Sequence, residues 1–156
     1  MLTLVPVLLA LGAGLVAGVF FAFSTFVMKA LAQLPSEQGV AAMQRINVVV
    51  LNPVFLALFV GTALIAGICG VGAVVSWGSI RSALLLAAAV LYVVGCFGVT
   101  VAFNVPRNEH LAGLHAGSVE GAAYWQVYLR EWVLWNHVRT VASSAAATAA
   151  TFSLAY

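Results

Sequence analysis

The sequence predicts an all-α integral membrane protein, a bundle of four transmembrane helices. Of its 156 residues, 64% are hydrophobic and only 6% are Asp, Glu, Lys or Arg. Soluble domains carry about 25% charged residues, and so few charges cannot cover the surface of a soluble domain of this size. The apolar residues also form four blocks, each long enough to cross a bilayer as a helix. We therefore expect one membrane domain, residues 1–156.

The predicted helices cover residues 4–28, 48–75, 82–103 and 132–156. The first three blocks contain no charged side chain, and the fourth contains only Arg139. Because lipid offers no partner to backbone amides, such blocks form helices whose hydrogen bonds are internal. The first block has no basic start and no cleavage site of small residues, so we interpret it as a retained helix and not as a signal peptide.

The connections between the blocks contain further helical signals. Ser36 is a good N-cap for an amphipathic entry segment before helix 2. Pro53 lacks a backbone amide, so we predict that helix 2 is kinked near Asn52 and Pro53. Between helices 3 and 4 we expect a longer helical loop, with residues 121–134 continuing into helix 4.

Small residues predict how the helices pack. Helix 1 has a small residue at every fourth position, at Ala10, Gly14, Gly18 and Ala22. Such a ladder lets helix backbones approach closely in lipid. We expect it to serve packing inside the molecule, and a homo-oligomer or a larger membrane complex remains the alternative.

Charge predicts the orientation in the membrane. Both long connections lie on one side of a four-helix bundle, and they contain Lys29, Arg45, Arg107 and Arg130, whereas the short connection contains only Arg81. The positive-inside rule then places the long connections in the cytoplasm, and we expect a bacterial cytoplasmic membrane. The net charge of +2 gives no reason to expect a nucleic-acid partner.

A polar and aromatic cluster is predicted near the long connections. Arg139 lies in helix 4, about 10 Å from the side of the bundle that holds the long connections. A guanidinium at this depth faces the bundle interior, water or a partner. The alternative is that its side chain snorkels to the lipid headgroups. Helical spacing places it on one face with Trp132, Trp135 and Asn136. Further polar residues are expected at the same level: Arg45, Asn47, Asn52, Asn104, Asn108 and His137. Together with nearby phenylalanines they predict a pocket for a hydrophobic small molecule. Membrane lipid is the other expected partner.

No metal site and no cofactor are predicted. Glu109, His110, His115 and Glu120 lack the compact spacing of a ligand motif, so a metal or a quinone is chemically possible but has no support. Cys69 and Cys96 lie at different depths in their helices, which excludes a disulfide between them.

Several short motifs together resemble a known family. They are the run from Ala17 to Met28, Gln44-Arg-Ile-Asn47, Asn52-Pro53, Asn104-x-Pro106-x-Asn108 and Trp132-x-x-Trp135-Asn136-x-x-Arg139. In this order they resemble the anthrone oxygenase-like membrane proteins, many of which are known only as a domain of unknown function. The resemblance implies a four-helix membrane protein, and in some members the oxidation of an anthrone to an anthraquinone.

The resemblance also implies roles for the cluster. Oxygen would attack a deprotonated phenolic ring without a cofactor. Arg139 or Arg45 would stabilise the phenolate, His137 would accept a proton, and asparagines 104, 108 and 136 would orient oxygens. Arg139, His137 and Asn136 are thus the candidate catalytic residues, and the candidate substrate-binding residues are Arg45, Asn47, Asn52, Asn104, Asn108, Trp132 and Trp135. The alternative is a non-enzymatic subunit that binds lipid or quinone in a larger membrane complex.

Overall fold

Five helices form the part of the chain that the computed structural model describes, residues 3–156. They are α1 (Leu4–Ala32), α2 (Ser36–Val49), α3 (Pro53–Val75), α4 (Ile80–Ala112) and α5 (Val119–Phe152), followed by a 3₁₀ turn, Ser153–Ala155. No strand occurs among these residues. The prediction of an all-α fold is confirmed.

Three of the helices, α1, α3 and α4, are long and apolar enough to cross a membrane. The predicted number of four is wrong, because α5 does not meet that standard in the described structure. Its sequence contains Arg130, Glu131 and Arg139, and the turns after Arg139 consist mostly of Ala, Ser and Thr. These residues are less hydrophobic than the Leu, Val and Ile of the other helices. Helix α5 instead packs along α1 and α4, which cover much of it.

The predicted kink near Pro53 is a complete break between two helices. Helix α2 ends at Val49, and Asn52 takes an extended backbone conformation before α3 begins. The Asn52 side-chain oxygen accepts the backbone N–H groups of Val54 and Phe55 at 3.1 and 3.0 Å. Pro53 fits the first helical position because the amide it lacks would have no partner there. Asn52 and Pro53 therefore start a helix here.

The long connections pack together at one end of the molecule. Gln44 on α2 donates from Nε2 to the carbonyls of Leu111 and Leu114 at 2.8 and 2.9 Å. Arg107 on α4 forms an ion pair with Glu131 on α5 at 2.6 Å. A hydrophobic cluster fills this end: Met28, Val40, Met43, Leu111, Trp125, Tyr128 and Trp132. The predicted helical loop is thus a folded layer made of α2, the end of α4 and the start of α5.

Close helix approaches do not follow the predicted ladder on α1. Gly14 and Gly18 are exposed, and a Cβ atom on either would meet nothing within 4 Å. The packed face of α1 instead holds Gly12, which lies directly against Thr62 of α3. Further along, Gly95 of α4 faces Ala142 of α5. Small residues do mediate packing, but on a face next to the predicted one.

Three π-helical segments interrupt the regular helices. One is Phe23–Val27 in α1, and two lie in α4, Leu91–Gly98 and Thr100–Asn104. Such wide turns are frequent at functional sites. Here they supply Ser24, Thr100 and Asn104 to the buried polar groups described next.

Candidate functional site

Arg139 is buried in the middle of the helix bundle, with 5% of its surface exposed. Its Nε donates to Asn136 Oδ1 at 2.9 Å, and its Nη1 donates to the Thr100 hydroxyl at 3.4 Å. No carboxylate of the described residues forms an ion pair with Arg139, whereas Arg107 pairs with Glu131. The Arg139 charge is therefore held by neutral dipoles. A buried charge of this kind lowers stability, so its presence points to a functional role.

Two aromatic rings enclose the same guanidinium. The Arg139 Cζ lies 3.9 Å from the centroid of the Phe20 ring and 4.8 Å from that of Trp132. Both distances are within the range in which a ring face attracts a cation. The guanidinium of Arg139 faces the bundle interior, as predicted, and does not extend to the protein surface.

Asn136 fixes the position of Arg139 and links α5 to α1. It is fully buried, and its Nδ2 donates to the Phe20 carbonyl at 2.8 Å and to the Ser24 hydroxyl at 2.7 Å. Ser24 also shares a hydrogen bond of 3.1 Å with Thr140. Both N–H groups of the Asn136 amide are thus used, and its oxygen accepts from Arg139, which leaves one acceptor position on that oxygen.

Two buried polar atoms beside this network have no partner among the described residues. They are Asn104 Oδ1 and Trp132 Nε1. Asn104 is fully buried, and its Nδ2 donates to the Trp132 carbonyl at 3.2 Å, so the two residues are neighbours. An unpaired buried donor or acceptor costs about 1–3 kcal/mol. One acceptor and one donor are therefore available to a bound molecule.

Tyr128 joins three helices next to Trp132. Its hydroxyl donates to Asn108 Oδ1 at 2.7 Å and accepts from Asn47 Nδ2 at 3.5 Å. The ring stacks between Trp125 and Trp132, with centroid distances of 5.6 and 5.8 Å. Burial raises the pKa of the Tyr128 phenol, so it stays protonated at neutral pH. Asn47 and Asn108 thus belong to a second polar group, around Tyr128.

Four predicted site residues lie outside both groups. Arg45 and His137 are exposed, and Asn52 is the cap of α3. Trp135 stacks on Phe103 with a centroid distance of 3.6 Å. The structure does not bring these residues to Arg139, so the predicted roles of Arg45 for the phenolate and of His137 as proton acceptor have no geometric support.

Sequence reasoning missed the hydroxyl groups that complete the network, those of Ser24, Thr100 and Thr140. Ser24 and Thr100 lie in helical stretches that are otherwise mostly apolar, and the sequence around Ser24 is rich in phenylalanine. That contrast is the signal that could have identified them, because a hydroxyl inside such a helix needs a partner.

Two clefts lie at other places in the molecule. One, of about 390 Å³, runs between α3 and α4 and has almost only apolar walls. The other, of about 450 Å³, lies near Ser79 and Arg81. Neither is lined by Arg139 or its partners.

The loop histidines have partners of other kinds. His110 packs on the Tyr124 ring at a centroid distance of 4.2 Å, and His115 Nδ1 accepts the Gly117 amide at 3.3 Å. Across residues 3–156, no group of three or more His, Cys, Asp or Glu side chains could hold a metal ion.

Comparison with known proteins gives one match. The family model described as anthrone oxygenase matches residues 53–149. No curated protein and no solved structure matches the chain. The matched range contains Asn104, Asn108, Trp132, Asn136 and Arg139, whereas the motifs quoted from residues 17–28 and 44–47 precede it.

Proposed function

Because the chain belongs to the anthrone oxygenase family, we propose that it is a membrane oxidoreductase that oxidises an apolar, electron-rich phenolic ring with O₂. The observation that carries this proposal is the buried Arg139, whose charge is fixed between two aromatic rings without a carboxylate partner among the described residues. A flat anionic ring system is the kind of ligand that such a group attracts.

The proposed reaction needs only the substrate and O₂. An anthrone loses a proton and becomes a phenolate-like anion with excess electron density on the ring carbon opposite the oxygen. That carbon forms a bond to one oxygen atom of O₂, and the resulting peroxide anion takes up a proton, which replaces the one lost in the first step, to become a hydroperoxide. Breaking of the O–O bond and loss of the carbon-bound proton then release water and leave a second carbonyl. One oxygen atom enters the quinone and the other leaves in water.

In this proposal, Arg139 stabilises the phenolate. A cation in a water-poor site lowers the pKa of a nearby phenol, so the substrate ionises near neutral pH without a histidine base. Asn136 holds the guanidinium in place from the α5 side. Trp132 Nε1 and Asn104 Oδ1 have no partner among the described residues. In this proposal, the Trp132 Nε1–H group donates a hydrogen bond to a substrate oxygen, and Asn104 Oδ1 accepts one from a substrate hydroxyl.

The proposal is tested with the full chain purified in detergent and supplied with anthrone in air-saturated buffer. O₂ uptake and quinone absorbance are measured after subtraction of spontaneous autoxidation. We expect Arg139→Gln to lower kcat by about 10²–10³-fold, the usual effect of removing one group that stabilises an oxyanion. Arg130→Gln changes an exposed arginine of the same helix and should keep the wild-type rate.

Two results would contradict the proposal. One is a folded Arg139→Gln protein with the rate of the wild type. The other is a folded wild-type protein that does not accelerate O₂ uptake above autoxidation, which would favour the non-enzymatic accessory subunit.

A further inference from the structure

The cleft near Arg81 differs in character from the Arg139 site and lies at the other end of the molecule. It is formed where α1 begins, α3 ends and α4 begins. Its volume of about 450 Å³ is within the usual range of small-molecule sites. Its apolar wall consists of Val5, Pro6, Ile68, Cys69, Gly72, Ala73 and Leu85, and its polar edge of Ser76, Ser79, Arg81 and Ser82.

Arg81 has the only charged side chain described at this end of the protein. It is the only Lys, Arg, Asp or Glu between residues 46 and 106, and neither residues 3–28 nor residues 140–156 contain one. The side chain is half-buried at the edge of the cleft. Trp77, in the same connection between α3 and α4, is 64% exposed, as is typical of tryptophans at a membrane–water interface.

The polar edge of the cleft is well ordered by hydrogen bonds. The Ser79 hydroxyl accepts the Ser82 amide at 3.1 Å, and the Ser82 hydroxyl accepts the Ser79 amide at 3.1 Å. This reciprocal cap fixes the start of α4 and therefore the backbone that carries Arg81. The cleft thus has a fixed cationic edge at the interface and an apolar interior.

We propose that this cleft binds one anionic phospholipid, with an acyl chain against the apolar wall and the phosphate beside Arg81. The charge of Arg81 is complementary to an anionic headgroup, and an acyl chain matches the apolar wall of the cleft. Juxtamembrane cations attract anionic lipids in this way, by a factor of about five for each charge.

Gly72 allows the cleft to be closed without disturbing the fold. A Cβ atom added at Gly72 would meet nothing within 4 Å, so a leucine there would extend into the open cleft. Gly61 lies on the same helix, is equally open at its Cβ position and does not line the cleft. Gly61→Leu is therefore a matched control for Gly72→Leu.

The test is native mass spectrometry of the full chain in detergent, titrated with phosphatidylglycerol or with phosphatidylcholine of the same acyl chains. We expect wild-type protein to bind one phosphatidylglycerol about fivefold more tightly than phosphatidylcholine. Gly72→Leu should weaken phosphatidylglycerol binding about tenfold, because several methylene groups of the acyl chain lose their buried position. Gly61→Leu should bind as the wild type does.

Arg81→Gln separates the headgroup from the acyl chain and does not depend on whether Gly72→Leu folds. It should bind both lipids equally, at the affinity of wild-type protein for phosphatidylcholine. Arg130→Gln removes a cation at the opposite end and should keep the preference for phosphatidylglycerol. Equal binding of both lipids by the wild type, an unchanged preference in Arg81→Gln, or equal losses in Gly72→Leu and Gly61→Leu would each overturn the proposal.

Discussion

At the residue scale, Asn136 and His137 show how much depends on the face of a helix. They are neighbours in the sequence, but Asn136 is fully buried and uses its amide in hydrogen bonds to Phe20, Ser24 and Arg139, whereas His137 is exposed. Helical spacing predicted correctly that Asn136 and Arg139 share a face. The assignment of His137 to the same site rested only on sequence proximity, and one step along a helix turns a side chain by about 100°.

Asn136→Ala should destabilise the protein by about 3 kcal/mol, because it leaves the Arg139 Nε and the Ser24 hydroxyl with fewer buried partners. The free energy of unfolding is measured by denaturant titration in detergent micelles, followed by far-UV circular dichroism. His137→Ala should stay within about 0.5 kcal/mol of the wild type, as exposed substitutions usually do. Equal effects of the two substitutions would contradict the role assigned to Asn136.

At the element scale, the break at Asn52-Pro53 was predicted, whereas the predicted end of the third helix at residue 103 was wrong, because α4 continues to Ala112. Asn52-Pro53 marks a helix start for local reasons, since capping needs only a few neighbouring residues. The predicted cap Ser36 is instead the first residue of α2, with Pro35 at the cap position and no hydrogen bond from a capping side chain. The π-helical segments were not predicted, because a wide turn is selected by contacts with other helices. The packed face of α1 was missed for the same reason: both Gly12 and Gly14 fit a small-residue pattern, and only the position of α3 distinguishes them.

Gly95 and Gly61 offer a direct test of the helix approaches. A Cβ atom at Gly95 would lie 2.7 Å from the Cβ of Ala142 on α5, so Gly95→Ala forces α4 and α5 apart. We expect a loss of about 1–3 kcal/mol of unfolding free energy, the usual cost of overpacking. Gly61→Ala has open space and should be neutral or gain up to about 1 kcal/mol from helix propensity. The denaturant titration measures both, and a stable Gly95→Ala protein would show that the two helices do not pack this closely.

At the scale of the whole molecule, composition predicted a helical membrane protein but overestimated the number of apolar helices. The block after Trp132 was long enough, yet α5 lies against α1 and α4 and can therefore carry Arg139 and many Ala, Ser and Thr residues. A count of apolar residues does not reveal which helix is covered by the others. The family match likewise covers only part of the chain, residues 53–149.

Helix α3 is long and apolar enough to cross a membrane, and such a crossing would place Arg45 and Arg81 on opposite sides. In separate Arg45→Cys and Arg81→Cys proteins, a membrane-impermeant maleimide should label Arg81→Cys in intact cells and Arg45→Cys only after permeabilisation, as the positive-inside rule predicts. Cys69 and Cys96 are buried, so the unmodified chain is the unlabelled control. Labelling of both variants from one side would show that α3 does not cross, and the reverse pattern would invert the orientation.

The stacked rings of Trp125, Tyr128 and Trp132 also have an optical consequence. Their centroids are held 5.6 and 5.8 Å apart, so their electronic transitions couple and give the folded protein a characteristic near-ultraviolet dichroic band. A quinone held beside Trp132 would accept the excitation energy of the indole and quench its emission. The aromatic stack is thus a built-in fluorophore, whose emission would report occupation of the proposed Arg139 site without any attached label.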